Sequence, residues 1–161
     1  IRSSKRNRLT KLTPRVVKFK VKGERARIRI KKIFAGGYSN FAVDIEGRVF
    51  TWGPNNYHQL GLENEGEELS VLTPTLLPGL TDVKQIAAAV HHTVAVDNSG
   101  KVYTFGRGSS GRLGHGDEKD CIHPTLVTAL PDDDPVERVG IGAAHSLAVT
   151  ESGELFSWGD G

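Results

Sequence analysis

"YTFGRGSSGRLGHG", residues 103–116, is the stretch whose reading decides the fold. Gly106, Gly108 and Gly111 give it G-x-G-x-x-G spacing directly behind an apolar, aromatic run. In a dinucleotide-binding loop Gly111 would open an amphipathic helix, with an acidic residue ~20 positions further on. The residues that follow, RLGHGDEKD, are polar and turn-forming instead. A sister stretch, WGPNNYHQLG at 52–61, lacks the second and third glycines. These glycines serve a tight loop, not a phosphate.

The sister stretch belongs to a repeat. Shifted by 53 residues, FAVDIEGRVFTWG (41–53) overlays VAVDNSGKVYTFG (94–106) and then LAVTESGELFSWG (147–159). Upstream, IKKIFAGG (30–37), VKQIAAAV (83–90) and VERVGIGA (136–143) keep the same spacing. Downstream, HQLGL (58–62) overlays GRLGH (111–115), while TPTLL (73–77) and HPTLV (123–127) correspond after a three-residue slip in a loop. A period of this length marks an array of supersecondary units.

Within each unit two β-rich runs flank a short Gly turn. The pairs 41–45/48–52, 94–97/101–105 and 147–150/154–158 read as antiparallel hairpins turning at E-G, S-G and S-G. Their Val, Phe, Tyr, Thr and Trp suit strands, and apolar residues fall on both faces. Sheets stacked face to face produce that pattern. No segment carries a convincing 3.6-residue stripe, so the fold class is all-β. "KFKVKGERARIRIKK" (18–32) alternates charged and apolar residues, which predicts a half-exposed hairpin turning at Gly23-Glu24.

At 161 residues the chain suffices for one ordinary domain. No apolar run approaches the ~20 residues of a membrane span, and the basic start has no secretory core. A lone cysteine, Cys121, excludes an internal disulfide framework and fits a reducing compartment. Met is absent even at position 1, which reads as a piece of a longer chain. The net charge of +2 conceals a segregation. Residues 1–32 carry fourteen Lys/Arg against Glu24 alone; the other 129 carry seven basic and eighteen acidic side chains. Such asymmetry concerns a partner more than the fold.

The unit H-T-V-A-V-D-x-x-G-K-V-Y-T-F-G … G-R-L-G … P-T-L-V resembles the repeat of the regulator of chromosome condensation family, a seven-bladed β-propeller. The resemblance covers about residues 13–161. It implies four-stranded antiparallel blades in a partial propeller: a blade tail at 13–32, repeats at 33–85 and 86–138, and a truncated repeat at 139–161, behind a basic arm or loop at 1–12. NYHQLG (56–61), HHTVAVDNSGK (91–101), SGRLG (110–114) and IHPTLVTALP (122–131) resemble later blades of the family's chromatin-bound branch, which exchanges guanine nucleotide on Ran-like small GTPases.

What the resemblance implies about function follows residue by residue. His91 is the first choice for contact with a Ran-like small GTPase, with Asn56, Tyr57 and Arg107 beside it. His92 either joins that set or is a structural residue fixing the turn. Loops on one rim of a rigid scaffold are where binding residues collect. The family's arginine-bearing loop against the histone acidic patch falls near Arg2, Lys5, Arg6 and Arg8, with contact to DNA phosphates as the neighbouring possibility. Location in the nucleus on chromatin follows. The family's wedge against the phosphate site projects from a blade absent here, so this stretch alone is expected to exchange little nucleotide and to need further blades or self-association for stability.

Covalent chemistry is not expected. His58, His91, His92, His115, His123 and His145 form no metal-ligand spacing, Cys121 and His123 make only a lone C-x-H, and no activated serine is apparent. No cofactor, metal, membrane or small-molecule substrate is expected. The acidic runs ENEGEE (63–68) and PDDDP (131–135) read as solvated loops, with docking of a basic partner as the alternative. Two functions remain open: an exchange factor, or a propeller scaffold of the same repeat family, as in a ubiquitin ligase, without exchange activity.

Overall fold

The computed structural model describes residues 13–64 and 66–161. Among the described residues eleven strands follow one another: β1 (Ile30–Gly36), β2 (Ser39–Asp44), β3 (Arg48–Pro54), β4 (Ser70–Thr81), β5 (Val83–Ala88), β6 (His92–Asp97), β7 (Val102–Gly106), β8 (Cys121–Leu126), β9 (Val136–Ile141), β10 (His145–Thr150) and β11 (Leu155–Gly159). They form two four-stranded meanders, β1-β2-β3-β4 and β5-β6-β7-β8, and a three-stranded one, β9-β10-β11. Every pairing is antiparallel.

The hairpins form where the repeat predicts them. Val43 pairs with Val49, Val96 with Val102 and Val149 with Leu155. Gly47, Gly100 and Gly153 hold φ of 82°, 83° and 96°, a region costly for any residue with a Cβ. An acceptor at each turn fixes the geometry. Asp44 Oδ1 accepts from the N–H groups of Glu46 (3.0 Å) and Arg48 (2.9 Å), and Asp97 Oδ1 from those of Ser99 (2.9 Å) and Lys101 (3.0 Å). In the third unit Thr150 Oγ1 accepts from Glu154 N–H at 3.1 Å. Short polar side chains that bond the backbone favour such turns.

Burial explains the poor alternation. One core cluster joins the first sheet to the second through Phe41, Val43, Val49, Leu77, Ile86, Ala95 and Phe105. Another joins the second to the third through Val94, Val96, Val102, Val139 and Ala148. On β6, Ala95 faces one neighbour while Val94 and Val96 face the other, so the pleat's period of two sends both sets into apolar surroundings. The outer faces lack this cover: Ile33 on β1 is 77% exposed and Leu155 on β11 is 70% exposed.

Polar docking contacts repeat at the same period. Thr93 Oγ1 donates to Gln59 O at 2.7 Å, and Ser146 Oγ, 53 positions on, donates to Arg112 O at 2.9 Å. Gln85 exchanges two bonds with the backbone of Val139, at 2.9 and 3.0 Å.

The stretch at 18–32 departs from expectation. Its turn is present: Glu24 N–H donates to Val21 O at 3.1 Å, with Gly23 at φ 86°. Its arms do not pair as strands up to Ile30; they flank an open cleft of about 720 Å³ lined by residues 16–20 and 27–30. Two longer-range contacts draw the segment away. Phe19 packs edge-on against Phe50 and Trp52, at 5.4 and 5.8 Å between centroids, and Glu24 bonds Arg48 at 2.6 Å.

Candidate functional site

The loops after β3 and β7 and the turns before β2, β6 and β10 meet on one rim. Asn55, fully buried, shapes the first loop. Its side-chain amide donates to Leu62 O and Asn64 Oδ1, both at 2.8 Å, while its Oδ1 accepts from Leu60 N–H at 3.0 Å. This knot leaves Asn56 exposed and Tyr57 half-buried, the latter's N–H bonded to Gln59 Oε1 at 2.9 Å.

Within the second sheet, where β6 begins beside the end of β7, Arg107 N–H donates to His91 O at 2.9 Å, which sets those residues side by side. Gly106 makes this approach possible. At φ 109°, a Cβ there would lie 2.6 Å from His91 O. The equivalent atom on Gly108 would overlap the Lys119 carbonyl. Past Gly106 the chain forms only a three-residue 3-10 turn, Ser109–Gly111, so Gly106 and Gly108 answer backbone crowding and Gly111 a φ of 67°, none of them a phosphate.

Three residues singled out from the sequence therefore come together. The Tyr57 and His91 rings meet edge to face at 4.7 Å, and the Arg107 guanidinium carbon stands 5.3 Å from the Tyr57 centroid. Partial burial first, then repulsion from Arg107 and Arg112, holds the His91 imidazole below its usual pKa. At neutral pH it is an uncharged donor and acceptor. Asn56 stands at the edge of this cluster.

His92 belongs elsewhere. It is 0% exposed, so its inclusion among partner-facing residues gives way to the structural role. Because Ser146 Oγ spends its proton on Arg112 O, the imidazole donates, from Nε2–H to Ser146 Oγ at 3.0 Å. Nδ1 is then an unprotonated, buried atom without a partner among the described residues. Burial above all, followed by the Arg112 charge, lowers its pKa to about 4. Strand alternation turns successive side chains to opposite faces, and the second histidine of the pair is turned into the seam.

Sequence reasoning missed two rim residues. Tyr38, at the repeat position of His91, is 73% exposed. Arg112, at the repeat position of Gln59, is 6% exposed and donates to Ser109 O (2.7 Å), Ser109 Oγ (3.1 Å) and Ala143 O (3.2 Å). Comparing loop residues one period apart would have flagged both. Arg2, Lys5, Arg6 and Arg8 lie outside the described residues. The other histidines are dispersed: His115 bonds Thr104 Oγ1 at 2.8 Å and His123 sits 3.5 Å from Glu63.

The repeat model "Regulator of chromosome condensation (RCC1) repeat" matches residues 46–96 and 99–149, and a second model of the same description matches 30–59 and 83–112. The chain belongs to the regulator of chromosome condensation repeat family. Its stacked antiparallel sheets are blades of a partial β-propeller. It is 39% identical over 156 residues to the mouse Regulator of chromosome condensation, covering 93% of this chain and 35% of that protein. It is 34% identical over 137 residues to the human E3 ubiquitin-protein ligase HERC2, covering 82% of this chain and 3% of the ligase. Among solved structures, Prp20p of Saccharomyces cerevisiae superposes with a TM-score of 0.71 at 26% identity, covering 81% of this chain and 33% of that one. That structure was described together with the binding of Prp20p to Gsp1p and histones. The chain thus spans about a third of the first relatives it matches.

Proposed function

We propose that this chain is part of a guanine-nucleotide exchange factor for a Ran-like small GTPase, acting on chromatin in the nucleus. The observation that carries the reading is the convergence of Tyr57, His91 and Arg107, from two adjacent blades, into one half-exposed rim cluster with Asn56 at its edge. Aromatic and Arg side chains that are anchored yet accessible suit the centre of a protein interface. Likeness to the Regulator of chromosome condensation and to Prp20p supports the partner.

An exchange factor breaks no covalent bond. It binds the nucleotide-free GTPase more tightly than the loaded form, so factor and nucleotide weaken each other reciprocally. The rim supplies contacts made best with the empty state, and the nucleotide pool sets the direction of exchange. Neutral His91 adapts to either a donor or an acceptor on the partner. The basic N-terminal arm, with Arg2, Lys5, Arg6 and Arg8, holds the assembly on the nucleosome through the histone acidic patch and DNA phosphates.

The test uses the full-length protein. Binding is measured to nucleotide-free Ran, GDP-loaded Ran and nucleosomes, together with stimulated GDP release. Preference for the nucleotide-free form, lost in a Tyr57→Ala/His91→Ala variant that melts like the parent, is the expected result. The second reading, a scaffold blade set without exchange activity, is favoured by the likeness to HERC2. Equal or absent binding to both forms of Ran, with no GDP release, would leave that reading standing.

A further inference from the structure

We propose that the rim around His91 is a seat for a carboxylate of the docked partner, contacted by Arg107 and His91 and backed by the buried charge of Arg112. This rests on the rim being the docking surface. It adds what chemistry the partner must present there.

Elsewhere the fold pairs two half-buried cations with carboxylates, while half-buried Lys32 donates to Val83 O at 2.8 Å. Arg48 is met by Asp44 at 2.7 Å, Glu24 at 2.6 Å and Glu46 at 3.4 Å, and Lys84 by Glu137 at 2.9 Å. Arg112 is far more buried, yet among the described residues only neutral oxygens of Ser109 and Ala143 receive its N–H groups. Arg107 rests over Tyr57, and among the described residues no carboxylate lies within 4.0 Å of Arg107, Arg112 or His91. Asp120, in the loop beyond, is turned to Gly108 N–H at 2.8 Å. His92, neutral in the seam, and His145 and Asp160 on the third blade are further ionisable groups on this side, Asp160 following Gly159, where a Cβ would lie 3.2 Å from Arg112 Cα. A buried cation without a counter-charge is costly, and its field reaches whatever docks above it.

The repeat supplies its own control. One period earlier the positions of His91, Arg107 and Arg112 hold Tyr38, Pro54 and Gln59. One period later His91 and Arg107 become Ala144 and Asp160. The blade folds with uncharged residues at all three places, so its geometry does not demand the charge. Two arginines concentrated at one rim position fit an incoming Asp or Glu, which a guanidinium binds through paired N–H groups.

The experiment measures affinity of the full-length protein for nucleotide-free Ran at low and high salt. Arg107→Glu is expected to weaken binding about 30-fold or more, and Arg112→Gln, which installs the side chain of Gln59, about tenfold. Both losses should shrink at high salt. An Asp→Lys or Glu→Lys exchange on the GTPase should restore binding to Arg107→Glu. Parental affinity in both variants, with binding weakened by Tyr57→Ala, would overturn the carboxylate seat while leaving the docking surface intact. If even the parent fails to bind, the functional reading falls. The seat is then judged by titrating a capped triglutamate peptide against the His91 ring resonances at matched ionic strength. A shift in the parent, absent in Arg107→Gln/Arg112→Gln, supports it; no shift in the parent overturns it.

Discussion

Acid should loosen the seam between the second and third blades through His92. In the folded protein this imidazole is neutral with a pKa of about 4, against 6.5 for an ordinary histidine, because burial and the Arg112 charge oppose its protonation. A folded pKa below the unfolded one means the unfolded chain binds the extra proton first. The histidine therefore imposes no pH penalty above pH 6.5, and stability is lost as pH falls from 6.5 towards 4. That interval corresponds to about 3 kcal/mol at ~1.4 kcal/mol per pH unit. His91 and His115 are shifted the same way, so the comparison must isolate one group. Denaturant midpoints of the full-length protein, taken from pH 7.5 to 4.5, should fall more steeply for the parent than for His92→Gln. The glutamine amide can still donate to Ser146 Oγ but does not titrate. Parallel curves for the two proteins, or a His92 resonance titrating near 6.5, would refute the assignment of a neutral, sealed imidazole.

Removing the acceptor should tell the same story: Ser146→Ala strands His92 Nε2–H and Arg112 O, costing about 1–3 kcal/mol in denaturation experiments. Phe105→Ala, which empties a side chain 0% exposed between the first and second blades, should cost about 3–5 kcal/mol by the same assay. Gly106→Ala combines a φ of 109° with a Cβ pressed on His91 O, so a loss of about 2–3 kcal/mol should accompany weakened GTPase binding. Tyr57→Ala, on the half-exposed rim, should leave the melting midpoint within about 2 °C of the parent and weaken nucleotide-free GTPase binding about tenfold, read by calorimetry and binding titration respectively.

Why some of this was legible and some not comes down to which contacts a residue needs. The hairpins at Gly47, Gly100 and Gly153 are local events, and the turn chemistry of Asp44 and Asp97 lies within four residues of its partners. Stacking of blades showed in the apolar run of Val94, Ala95 and Val96, since no solvent-facing sheet tolerates it. The hairpin expected at 18–32 failed for the opposite reason: its alternation is real, but Phe19 and Glu24 find partners on β3 and not across the turn. His91 and His92 are neighbours of one type, separated only by strand alternation and by Ser146, 54 positions beyond His92. A residue that breaks the repeat can be mending a seam, as His92 does where Ser39 stands a period earlier, or facing outward, as Arg107 does where Pro54 stands. Sequence finds the breaks, but only the packing of one blade on the next divides them into the buried kind, which changes stability, and the exposed kind, which is free to meet a partner.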